Sequence, residues 1–229
     1  MPEPAPNAEL LRSLGRLVRG LSALFWGLPI ALIVCFHTAS AKTEGFHWFT
    51  FVPPLLSTGL LAYGLWQIGD FQKQERVWRS ALDRARIFSL VNFGLSPFLC
   101  WWNRVPNNPF FAAMVLLLTL SALLFVGSLN QVLQRLGAML PDEGLRLEIK
   151  QFTALNLNLL LTAFMLAMAY AGLGHLRTLP PWLGALVTVI DRGSFWLLIP
   201  LVLLPLAMTM ALLWKTKEVI LDNVFGASN

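Results

Sequence analysis

Charge is scarce in this chain, and it is scarcest inside the apolar runs. Only 13% of the 229 residues are Asp, Glu, Lys or Arg, roughly half the density of a soluble domain. Within the apolar centres of the long hydrophobic runs there is no Asp, Glu, Lys or Arg at all. Proton relays, coupled-ion sites and voltage sensors need ionisable groups at membrane depth. Their absence argues against a pump, a sensor and most coupled transporters. A channel or lipid-handling protein lined by backbone and hydroxyl groups stays open.

Cysteine is nearly missing too. Cys35 and Cys100 show no C-x-x-C spacing, which excludes a disulfide scaffold and the usual zinc frameworks. Both fall near the outer ends of their helices, but a bridge needs Cα atoms within about 7 Å. Two free thiols are the default expectation. No nucleophile elbow, phosphate-binding glycine loop or paired-carboxylate constellation occurs, so no catalytic residue is assigned. Nothing calls for a resident metal or cofactor. The formal net charge is +5, yet the bases sit at the ends of apolar runs rather than in one stripe. That placement suits anionic headgroups, not nucleic acid.

What the chain does have is six apolar segments, at about 20–38, 51–69, 87–102, 110–130, 152–173 and 194–214. A membrane span takes ~20 mostly apolar residues, so six spans and short loops use up the length. The expected fold is all-α: a polytopic membrane protein built as a six-helix transmembrane bundle. Residues 9–229 form its single domain, behind a Pro-rich irregular tail at 1–8. The first run is of full span length with no small-residue cleavage site, so it reads as a retained helix and not a cleaved signal.

Segment 87–102 is the ambiguous one, being short and containing Asn92 and Pro97. Charge decides it. If it crosses, all of the 17 Lys and Arg except Lys42, Arg104, Arg177 and Arg192 lie on one side. If it lies flat, the later loops invert and the bias fades. The positive-inside rule favours crossing, with both termini cytoplasmic and the protein in the cell inner membrane.

An internal repeat at an offset of 64 residues points the same way. Phe88, Asn92 and Leu95 match Phe152, Asn156 and Leu159, while Leu65 and Gln67 match Leu129 and Gln131. The unit would be a repeated helical hairpin. Beyond the fourth segment Leu129, Val132, Leu133, Leu136 and Leu140 keep helical spacing. Pro141 to Gly144 then supplies a turn. Such cytoplasmic helical extensions, and a similar one over residues 71–86, either pack internally, lie among headgroups or offer a docking face for a partner.

The polar residues inside the spans are Asn92, Asn156 and Asn158, with scattered Ser and Thr. An in-membrane Asn most often hydrogen-bonds another helix. The sharper reading is a polar cleft for a lipid or substrate headgroup. His37 ends the first span, His47 sits in the first outer loop and His175 follows the fifth span. His37 and His175 are candidates for haem ligation, or for a copper site with Cys35, Met165 and Met168. No two of these show motif spacing.

Three functions fit these features. The first is a non-enzymatic subunit or scaffold of a larger membrane assembly, its partners being other membrane subunits or copies of itself. The second is a small transporter, channel or lipid-handling protein using a cleft near Asn92, Asn156 and Asn158. The third is a haem- or quinone-associated electron-transfer subunit.

Overall fold

A computed structural model describes the backbone of residues 6–40, 48–69, 71, 75–139, 143–173 and 181–225. Side chains are described over 12–40, 49–69, 71, 75–139, 143–144, 146–169, 172 and 200–222. Every regular element among them is helical: α1 (Pro6–Ser40), a 3-10 turn (Trp48–Phe51), α2 (Val52–Ile68), α3 (Arg76–Leu95), α4 (Phe98–Arg104), α5 (Pro109–Met139), α6 (Glu143–Leu173) and α7 (Pro181–Phe225). Four stretches are long and apolar enough to cross a membrane: Arg12–Ser40, Phe49–Ile68, Pro109–Met139 and Arg146–Ala169.

Helices α1, α3, α5 and α6 outrun the apolar segments, continuing past the hydrophobic stretch on faces that stay packed. α1 starts at Pro6, inside the stretch 1–8 that composition marks as irregular; proline suits a first helical turn. α5 runs on to Met139 and α6 begins at Glu143. The α5 continuation buries Val132, Leu133 and Leu136 completely or nearly so, and Ile149 of α6 joins them. In α3 the stripe Trp78, Ala81, Leu82 and Ala85 enters the same core. Trp78 also donates its indole N–H to the Phe71 carbonyl at 3.0 Å. These apolar faces are therefore used inside the molecule.

α1 and α2 form the closest pair. Gly20 and Gly27 on α1 face Gly64, Leu61 and Ile68 on α2, the small-residue contact that lets two apolar helices approach without a hydrophobic driving force. From there α2 packs on α3, α3 on α5, α5 on α6 and α6 on α7, and α7 returns to α1, closing a ring, with α4 set against α1 and α5. Leu17, Leu21, Leu24, Leu65, Leu129 and Leu213 are among its buried centre.

Segment 87–102 is not one helix. It comprises the end of α3, a break at Ser96-Pro97, and α4. Pro97 has no N–H for the Phe93 carbonyl, and the Ser96 hydroxyl donates to that carbonyl instead, at 2.9 Å. The chain continues in tighter steps, Leu99 N–H to Ser96 O and Cys100 N–H to Pro97 O. Its ends are fixed by contacts. Arg86 reaches the Leu65 carbonyl near the end of α2, while Asn103 donates to the Thr38 carbonyl at the end of α1. Between those contacts lie 17 residue steps (103 − 86), or about 25 Å of helix. The broken segment thus runs the length of the α1–α2 hairpin.

The 64-residue offset recurs in what is buried. Ser57, Leu61, Leu65 and Ile68 of α2 pair with Ser121, Phe125, Leu129 and Val132 of α5, all buried. Ala85, Ser89, Asn92, Ser96 and Leu99 pair with Ile149, Thr153, Asn156, Leu160 and Ala163, again all buried. Several positions depart from the pattern, Tyr63 (exposed) against Gly127 (buried) and Leu82 (buried) against Arg146 (exposed) among them. Trp66 is 63% exposed, whereas Asn130, its counterpart, is wholly buried, because α7 packs against α5 and Thr209 bonds Asn130 there.

Candidate functional site

The three asparagines do not share one site. Asn156 of α6 is fully buried and turned toward α7, donating to the Pro205 carbonyl at 3.1 Å and to Thr209 Oγ1 at 2.9 Å. Asn130 of α5 donates to the same Thr209 oxygen at 2.9 Å and to Val126 O at 2.8 Å. Thr209 in turn donates to the Pro205 carbonyl at 2.7 Å. One hydroxyl therefore gathers α5, α6 and α7 into a polar node within an apolar core. The side-chain carbonyls of Asn130 and Asn156 find no partner among the described residues, and such groups in native proteins commonly meet ordered water.

Asn92 is buried on α3, its Oδ1 also without a partner among the described residues. Asn158 lies two residues beyond Asn156, which on a helix turns it to another face. It is exposed and lines a lateral cleft.

That cleft, about 430 Å³, opens between α3, α5 and α6. At one end stand Arg84 of α3 and Gln131 of α5. This is the pole at which the bases Arg86, Arg135, Arg146, Lys150 and Lys215 cluster by helix register, and where Lys215 pairs with Glu148. Farther in, Phe88, Ser128 and Asn158 form the middle of the wall, and Leu123, Leu124, Leu161 and Phe164 the deep end. The lining grades from cationic to wholly apolar along the helix axes.

Arg84 is exposed, and its Nε donates to the Ser80 carbonyl at 3.3 Å. No acceptor among the described residues meets its two terminal nitrogens. Its sequence neighbour Asp83 is paired with Arg86 at 3.5 Å. Arg86 itself turns back to α2 and lies over the Trp66 ring at 5.3 Å.

His37 is exposed at the end of α1, and Met165 and Met168 face outward, 62% and 46% exposed. His47 and His175 lie outside the described residues. Cys35 and Cys100 are free thiols, and Cys100 donates to the Thr50 carbonyl at 3.3 Å. Among the described residues no group of three His, Cys, Asp or Glu is arranged to hold a metal.

Sequence reasoning missed Asn130, Thr209 and Arg84. Asn130 had a legible signal, since it falls on the same helical stripe as Val126, Leu133 and Gly137. The cleft had none, because it depends on which three helices become neighbours.

The class defined here is an all-helical protein with several helices apolar enough to span a membrane. Compared with known proteins, the chain matches no family model, no curated protein and no solved structure.

Proposed function

We propose that this chain is a non-enzymatic, multi-pass membrane protein that handles lipid through its lateral cleft. It would cross the cell inner membrane six times with both termini cytoplasmic, and the basic pole would be the cytoplasmic one. One observation carries the lipid reading: the cleft opens sideways on a surface studded with exposed apolar side chains, and its lining grades from Arg84 to Leu161 and Phe164. That gradient matches an amphiphile lying with its polar end at the basic pole. The concave, mostly apolar wall with a few convergent polar groups is the usual form of a ligand site.

A subunit or scaffold role is the second reading. The apolar faces of α3 and α5 that would make a docking surface are occupied internally by Trp78, Leu82, Leu133 and Leu136. What favours docking is the cluster of exposed cations at the same pole, Arg76, Arg79, Arg135 and Lys150.

The test is native mass spectrometry of protein released gently from its own membrane. The lipid reading expects phospholipid-mass adducts in defined number, lost in Leu161→Trp, which fills the cleft from an exposed position. A bare chain in both proteins overturns it. A defined larger assembly without lipid transfers the weight to the subunit reading.

A further inference from the structure

We propose that the occupant of the cleft is an anionic phospholipid of the cytoplasmic leaflet, held by its phosphate on Arg84 with one acyl chain between α5 and α6. This rests on the lipid-handling reading and adds the headgroup chemistry and the residue that recognises it.

The argument for an anion begins with Arg84. Its Nε donates to the Ser80 carbonyl of its own helix at 3.3 Å, which leaves the two terminal nitrogens as the outward edge of the guanidinium. The two terminal nitrogens have no acceptor among the described residues, and Asp83 is drawn off by Arg86. A guanidinium with a free edge is the geometry that takes a phosphate bidentately, with charge-assisted hydrogen bonds. Gln131 stands at the same end of the cleft. Its amide carries both donors and an acceptor, suited to the glycerol and ester oxygens just below a phosphate.

The argument for an acyl chain is the remainder of the wall. From Leu157 to Phe164 the cleft follows α6 for seven residue steps (164 − 157), about 10 Å of helix. A volume near 430 Å³ lies low in the range of ~300–1,000 Å³ for small-molecule sites. It suits the upper part of a single chain, with the second chain left in the bilayer. The carboxylate of a free fatty acid would share the phosphate's charge, but the leaflet's anionic phospholipids supply that charge at the depth where Arg84 sits.

The experiment compares phosphatidylglycerol and phosphatidylcholine of identical chains, titrated into delipidated full-length protein and read by native mass spectrometry. The expected result is about tenfold tighter binding of phosphatidylglycerol. Arg84→Gln should erase that preference while phosphatidylcholine still binds. Arg84→Lys should keep part of it, since an ammonium gives a point charge without the fork. Arg135→Gln, at an exposed base of the same pole outside the cleft, should leave it intact. Equal binding of the two lipids to the wild type, with both displaced by Leu161→Trp, overturns the anionic assignment and leaves the lipid cleft standing. Loss of preference in Arg135→Gln equal to that in Arg84→Gln overturns the role of Arg84. If neither lipid binds, both readings fall. Should Arg84→Gln not purify as a folded species, undiminished preference in Arg84→Lys would still tell against bidentate capture.

Discussion

A Cβ built on Gly20 would lie 2.7 Å from the carbonyl oxygen of Gly64, and one built on Gly64 would lie 3.1 Å from the carbonyl oxygen of Gly20. The two helices thus meet backbone to backbone at this level. Carbonyl oxygens in a helix cannot move aside as a leucine methyl can.

Gly20→Ala should therefore destabilise the bundle by about 1–3 kcal/mol, the usual cost of overpacking. Gly27→Ala meets the Cδ2 of Leu61 at 2.8 Å, a side-chain end that can rotate, and should cost less. Gly94 has open space around its missing Cβ, so Gly94→Ala should be neutral or slightly stabilising. Unfolding of the three variants in mixed micelles checks the order.

The node around Thr209 yields a second expectation. Thr209→Val keeps the shape and removes the oxygen that receives both Asn130 and Asn156. It should cost about 1–2 kcal/mol, more than Asn130→Leu, which takes its own unmet acceptor, Oδ1, away with it. In a double-mutant cycle Asn130 and Asn156 should couple through Thr209, and the coupling should vanish in the valine background. Additive single effects would show that the hydroxyl is not shared.

How far these features could be read from sequence depends on range. The apolar runs of α1, α2, α5 and α6 mark themselves, because a helix in hydrocarbon needs continuous hydrophobicity. Their true ends were hidden, since Val132, Leu133 and Leu136 extend α5 on a face covered by other helices. α3 was harder still. Its Arg79, Asp83 and Arg84 lie exposed beside a buried Trp78, Leu82 and Ala85, so hydropathy averaged over the helix conceals the packed stripe. The Pro97 break is readable as a proline, but its repair by Ser96 is not. Asn156 is legible as a polar residue inside an apolar run, though Asn158 beside it reads the same way and is exposed, while the partner Thr209, 53 residues away, is one of many span hydroxyls.

The arrangement in the bilayer is checked by labelling. In a cysteine-free background, Asn107→Cys lies between α4 and α5 and Glu143→Cys opens α6, both at exposed positions. A membrane-impermeant maleimide should label Asn107→Cys on intact cells and Glu143→Cys only after permeabilisation. Labelling of both from outside would mean that α5 does not cross.

The ring is closed by α1 against α7, with the Phe25 and Trp214 rings 5.5 Å apart. Synthesis makes α1 before α7, so α1 waits for this contact. Until residue 214 has left the ribosome, Phe25 lacks its ring contact with Trp214. Biogenesis must either hold that helix beside the insertion machinery or let lipid cover it meanwhile. A nascent chain arrested before α7 is thus an open bundle, and quality control has a physical cue by which to recognise it.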